Sequence, residues 1–370
     1  MTQEKCPLAR SPKRIVIVAL LVALASAAAE PAAAATPGPF FGMNLDGDLA
    51  VAAPAAVENQ IGAMPLAGAG SLRATFSWAD AQPGRGDAPS FAASDPIVAA
   101  AARGGLTLAP VVTLAPAWAR REPDVKASAP RHSGDYARFL TALVGRYGPS
   151  GTFWTEHPEL PRAPVRDWQV WNEPHLRYQW RSPHWERDYG ALLRASRRAL
   201  RAADPGGRIV LAGLANKSWR YLARLYRHGR IRGAFDVAAV HPYTATAPGV
   251  LTIVQRFRRV MKRRGDDRLP VWITELGLPA AEGRIDATTP LQTTDRGMAS
   301  FLSRSYALLL AARRDPAVRV ERAYWYTWAS SYCCDLFGFA GLKRYDPESG
   351  RLRARPAFAA YRRVALGSRR

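Results

Sequence analysis

The order of short β-rich apolar runs and longer amphipathic stretches predicts an α/β fold, a (β/α)8 TIM barrel in a single domain. Three observations carry that expectation. Eight strand-like runs alternate with helix-like ones; residues 36–370 are enough chain for one large barrel; and the chemically distinctive polar residues fall where strand-like runs end.

The strand-like runs are Phe40 to Leu45, Leu72 to Trp78, Leu106 to Leu114, Asp167 to Trp171, Arg208 to Gly213, Phe235 to His241, Pro270 to Thr274 and Arg322 to Trp328. Between them, Tyr136, Phe139, Leu140, Leu143, Val144 and Tyr147 recur at helical spacing. Their helix is entered at Ser133 and stopped by Gly148. Val250, Ile253, Val254, Phe257, Val260 and Met261 form a second stripe, and Met298, Phe301, Leu302, Leu308 and Leu309 a third. A last helix carries Phe358, Tyr361, Val364 and Ala365. A doubly wound open sheet is the competing architecture. It is disfavoured because no glycine-rich phosphate loop follows the first strand and eight units exceed its usual number. Too little chain follows Trp328 for an appended β-sandwich.

Residues 1–35 read as an export signal. Lys5, Arg10, Lys13 and Arg14 precede an apolar run from Ile15 to about Ala29, and small residues lead to Ala33-Ala34-Ala35. The run is shorter than a membrane span, so a secreted protein cleaved near Thr36 is expected in preference to one anchored by an uncleaved N-terminal helix, and no stable membrane insertion is expected after cleavage. The catalytic domain is therefore placed at 36–370.

The formal net charge is +22. The leader accounts for little of it. Such a balance raises the local concentration of anionic polymers and favours an anionic glycan as partner, although a solvated Arg-rich surface explains it equally well. No nucleic acid is expected to bind, because no basic cluster sits in a nucleic-acid motif. Outside the leader only the adjacent Cys333 and Cys334 remain, so a disulfide scaffold is excluded; a vicinal bridge and two free thiols both stay open. No metal is expected, since the six His show no ligand spacing, and no cofactor is needed by the chemistry below.

Two glutamates end strand-like runs: Glu173 in Trp171-Asn172-Glu173-Pro174 and Glu275 in Ile273-Thr274-Glu275-Leu276-Gly277. They terminate the fourth and seventh strands, which face one another across an eight-membered ring. Paired carboxyls so placed suit glycosidic cleavage, where one protonates the leaving oxygen and the other attacks the anomeric carbon. Arg73 lies inside the second strand, where a buried guanidinium needs a carboxylate partner; His241 and Tyr243, two apart, share a face at the end of the sixth. Among eleven Trp, Trp78 and Trp118 are candidate subsite walls and Trp328 a candidate platform under the reacting sugar, while Trp325 reads as core.

Asn172-Glu173-Pro174, His241-Pro242-Tyr243 and Thr274-Glu275-Leu276-Gly277, in this order and at strand spacing, resemble clan A of the glycoside hydrolases over nearly the whole mature chain. The closest look is to the β-xylosidase and α-L-iduronidase family and its bacterial exopolysaccharide-hydrolase relatives, then to cellulase-type endoglycosidases. The resemblance implies a retaining glycosidase acting on a carbohydrate. In it Glu173 is acid/base, Glu275 nucleophile, Asn172 donor to the sugar 2-hydroxyl, and Arg73 and Tyr243 contacts of the nucleophile that keep it ionised while Glu173 holds its proton. A transglycosylase using the same residues and a non-catalytic polysaccharide-binding barrel are the alternatives.

Overall fold

The computed structural model describes residues 38–46, 49–50, 52–286, 289–313, 315 and 318–367. The expected leader, residues 1–35, lies outside the described residues. Eight parallel strands form one sheet: β1 (Phe41–Leu45), β2 (Ser71–Ser77), β3 (Thr107–Thr113), β4 (Asp167–Val170), β5 (Arg208–Val210), β6 (Ala238–Val240), β7 (Val271–Leu276) and β8 (Val320–Trp325). Their spatial order is β5-β4-β3-β2-β1-β8-β7-β6. Isolated parallel bridges Val210–Val237 and Leu214–Val240 join the two ends, so the sheet closes into a (β/α)8 barrel and the open-sheet alternative is overruled.

All eight strand-like runs form strands, and the differences lie at their ends. β5 and β6 are shorter than expected because the chain at this seam pairs through single bridges instead of a continuous ladder. β8 starts earlier and stops at Trp325, which moves Trp328 off the barrel into the connection that follows. After it comes a small sheet absent from the sequence expectation: β9 (Ala329–Ser330) between the barrel and β10 (Lys343–Tyr345), which pairs antiparallel with β11 (Leu352–Ala354).

The helices obey their apolar stripes. In α1 (Ser133–Tyr147) all six expected core residues are buried and the Gly148 N–H closes the last turn on Val144. Two helix tyrosines fix strand ends directly: Tyr136 donates to the Val112 carbonyl at 2.7 Å, and Tyr189 of α2 (Trp185–Ala203) donates to that of Val170 at 2.9 Å while accepting from the Ala212 N–H at 2.7 Å. These bonds satisfy backbone groups where the ladder stops, which sets the height of the rim. Among the described residues no helix is long and apolar enough to cross a membrane.

The barrel interior is packed by Ala109, Val210, Val237, Ala239, Trp272 and Tyr324. Small residues opposite large ones let the rings fit: a Cβ on Gly42 would lie 2.3 Å from the Tyr324 ring. Below this layer Asp167 accepts from Arg208 at 2.6 Å and pairs with Arg322 at 3.0 Å, and Arg322 lies 4.1 Å from the Trp272 ring centroid. The floor is thus a charge cluster in which the buried Asp167 and Arg322 depend on one another, while the half-buried Arg208 also pairs with Glu321 at 3.3 Å. Replacing Asp167 by Asn should leave the buried Arg322 guanidinium without a carboxylate, Arg208 keeping Glu321, and lower unfolding free energy by about 3 kcal/mol in a denaturant titration, with the native circular dichroism spectrum retained; a loss within the error of the titration would show that Arg322 does not depend on Asp167.

Candidate functional site

Strand ends of the barrel converge on one buried cluster. Arg73 of β2 is the hub and donates to four side chains: Gln169 Oε1 at 2.9 Å, Asn44 Oδ1 at 2.7 Å, Asn172 Oδ1 at 2.8 Å and Glu275 Oε1 at 3.0 Å. β1, β2, β4 and β7 are thereby tied at one height. Asn44 continues the tie by donating to the carbonyls of Thr274 at 3.0 Å and Trp325 at 3.3 Å. Arg73 is only 5 % exposed, and each donor used is one it could not leave unpaired in this setting.

Glu275 ends inside β7 with both oxygens occupied, Oε1 by Arg73 and Oε2 by the Tyr243 hydroxyl at 2.8 Å. Burial, reinforced by the nearby Glu275 carboxylate, pushes the Tyr243 phenol well above its ordinary range, so it remains a donor throughout the working pH range. Glu173 follows β4 in a left-handed backbone turn, φ 42°, next to Trp171 at φ 65°. That turn carries its carboxyl over the barrel axis, where Oε1 lies 2.8 Å from His241 Nδ1. Its Oε2 takes no hydrogen bond from the described residues.

His241 is fully enclosed. Its Nδ1 is also 3.4 Å from Glu275 Oε2, and Nε2 is 3.0 Å from the Thr274 hydroxyl. The ring therefore stands between the two carboxyls, fixed at its far edge by β7. Room for it comes from Gly213: a Cβ there would be 1.8 Å from Nε2. Glu173, His241 and Glu275 each present one ligating atom, all within 4.8 Å of one another. Such a set has the donor chemistry of a cation site, yet Glu275 is already saturated by a guanidinium and a phenol, and a cation there would face Arg73.

Asn172 is half-buried, and with Oδ1 taken by Arg73 its Nδ2 remains as the donor for a ligand. Arg73, Asn172, Glu173, His241, Tyr243 and Glu275 are thus brought together. The tryptophans are not. Trp328 has no exposed surface: its Nε1 donates to Gln60 at 3.1 Å, with Lys343 4.2 Å from its ring centroid and Phe358 edge-on at 5.6 Å, so the expectation of a sugar platform is corrected. Trp78 is likewise enclosed, stacked 5.9 Å from Phe139, and is core instead of a wall. Trp118 is half-buried behind Trp78, with Arg85 5.4 Å from its ring centroid.

Aromatics that the sequence reading passed over take the places at the mouth. Tyr326, one residue beyond β8, has its phenol pushed far up by burial, by Asp46 and by Glu275. Tyr178 is 70 % exposed on the segment after Glu173, and its phenol pKa is raised first by the partial burial of the hydroxyl end and then by the Glu173 and Glu275 carboxyls. Phe337 lies edge-on to Tyr243 at 5.2 Å and to Tyr326 at 5.7 Å. Its loop contains a Cys333–Cys334 disulfide, with Cys334 at φ 78° and the Asp335 N–H donating to the Cys333 carbonyl, so of the two states left open the structure has the vicinal bridge. Asn44 and Gln169 had a usable signal, as polar residues at inward positions of apolar strands; Tyr326 had none, because it depends on where β8 ends.

Residues 197–342 match the family described as Glycosyl hydrolase catalytic core. No curated protein sequence matches the chain. Among solved structures, a family 39 glycoside hydrolase from Bacteroides cellulosilyticus WH2 is similar with TM-score 0.65 and 18 % identity, covering 89 % of this chain and 64 % of that one. The chain thus spans less than two thirds of that protein. The family 39 enzyme of Xanthomonas axonopodis pv. citri gives TM-score 0.63 and 16 % identity over 90 % and 68 %. A family 5 (subfamily 18) structure from Streptomyces cattleya in complex with GlcNAc gives 0.64 and 18 % over 90 % and 81 %. At these identities the likeness is one of fold.

Replacing Gly213 by Ala should push His241 off Thr274 and misplace Glu173. Turnover should fall about a hundredfold or more with an unchanged circular dichroism spectrum; full activity in the folded variant would show that His241 does not set the position of Glu173.

Proposed function

We propose that this chain, a glycosidase with a glycosyl hydrolase catalytic core, is exported and hydrolyses a poly- or oligosaccharide with retention of anomeric configuration. The observation that carries the retaining reading is the closeness of the two carboxyls, whose nearest oxygens are within 4.8 Å. Retaining enzymes need about 5–5.5 Å between carboxyl groups, whereas inverting ones need about 6.5–9.5 Å to admit a water.

In the first step Glu275 forms a bond to the anomeric carbon as the glycosidic C–O bond breaks, and the proton of Glu173 passes to the departing oxygen. The product is a glycosyl ester. In the second step Glu173, now a carboxylate, takes a proton from water, whose oxygen displaces Glu275 and restores the starting state. Arg73 and Tyr243 hold the Glu275 oxygens, which orients the nucleophile for attack and stabilises the carboxylate that departs in the second step. His241 takes one oxygen of Glu173 and leaves the other for the leaving group. The Asn172 amide is placed to bond the sugar 2-hydroxyl as positive charge grows on the ring.

Export rests on the basic, apolar and small-residue order of residues 1–35, which is that of a cleavable leader. Substituting Glu173 by Gln should lower turnover by about two to four orders of magnitude on substrates with poor leaving groups. Azide should rescue Glu275→Gly with a product of inverted configuration and Glu173→Ala with one of retained configuration, as read by NMR. Activity surviving both substitutions would remove these residues from the mechanism.

A further inference from the structure

The positive charge of the chain is unevenly placed. Between Leu45 and Trp118 the only Lys or Arg are Arg73, Arg85 and Arg103, against Asp46, Asp48, Glu58, Asp80, Asp87 and Asp95. The described residues of this acidic sector run from the end of β1 through β2 and β3, and Asp46 and Asp80 line one side of the mouth. A cavity of about 910 Å³ opens there, with Arg73, Asn172 and Glu275 at its inner end and Asp46, Asp80 and Leu114 among its walls.

None of the sector's three cations presents a free charge to the cavity. Arg73 is spent on Glu275 and three amides, Arg103 pairs with Glu58 at 3.0 Å, and Arg85 covers Trp118 and does not line the cavity. Glu173, His241 and Tyr243 are also missing from the lining. The cavity therefore opens from Glu275 and Asn172, which on the reading above is the glycone side.

Resting on the retaining reading above, we propose that the glycone site takes an uncharged sugar and discriminates against uronic acids, in place of the anionic glycan that overall charge suggests. A carboxylate on the glycone would enter a recess bounded by Asp46, Asp80 and Glu275 with no unspent cation to receive it. Neutral hydroxyls meet no such opposition, since carboxyls, Thr75, Ser77 and Thr113 along the wall accept their protons.

The test is a panel of 4-nitrophenyl glycosides of gluco, galacto, manno and xylo configuration in both anomeric forms, each six-carbon sugar paired with its uronide. Within the best pair the neutral member should exceed the uronide about a hundredfold in kcat/KM. Asp80 is exposed and lies outside the hydrogen-bonded cluster, and Asp80→Lys should narrow that ratio about fivefold or more without changing the circular dichroism spectrum. A uronide that is the better substrate in any pair, a ratio unmoved by Asp80→Lys, or turnover of no neutral member overturns the proposal. Azide rescue of Glu275→Gly separates the two levels: if it fails, the retaining reading falls whichever sugar is preferred, and if it works while a uronide is preferred, only the charge argument falls.

Discussion

The buried bond between Arg73 and Glu275 is the constraint on which the rest of the site depends. A guanidinium out of water at the top of a barrel is tolerated only because Glu275, Asn44, Gln169 and Asn172 meet its donors. The same bonds tie four strand ends together and hold a carboxylate in place at the inner end of the cavity. Removing the arginine would leave a buried carboxylate facing three amides, so architecture and chemistry fail together at that position.

Around this pair the fold separates two duties. At the floor, Asp167 with Arg208 and Arg322 closes the barrel by charge, well away from the mouth. At the rim, Glu173 sits in a left-handed turn held by His241. Strain of that kind persists where neighbours over-determine the backbone, and here they are the enclosed imidazole and the strand beneath it. The first carboxyl is thus set by an ion pair and the second by a turn, which gives the two groups different surroundings for different tasks.

The eight strands were legible because each is a short apolar run bounded by turn residues, and Glu173 and Glu275 because each is an acid at the end of such a run. The aromatic lining was not. Trp328 and Trp78 carry the right chemistry for sugar contact, but a tryptophan near a strand end is as readily enclosed by the next layer of helices, and burial depends on Gln60, Lys343, Phe358 and Phe139, which are remote in sequence. Tyr326 escaped notice because its orientation follows from a strand that ends three residues earlier than its composition suggests. The Cys333–Cys334 pair was visible as a pair, and its pairing was decided by the fold of a loop for which sequence offers no period.

The central claim is that Glu275 becomes covalently bonded to the sugar. Incubation with a 2-deoxy-2-fluoro glycoside of a turned-over sugar, followed by peptide mass spectrometry, tests it directly, because fluorine removes the 2-hydroxyl contact and slows release of the ester. The account predicts one added glycosyl mass on the peptide containing Glu275. A label on another residue, or complete turnover with no adduct and an inverted product, would contradict it.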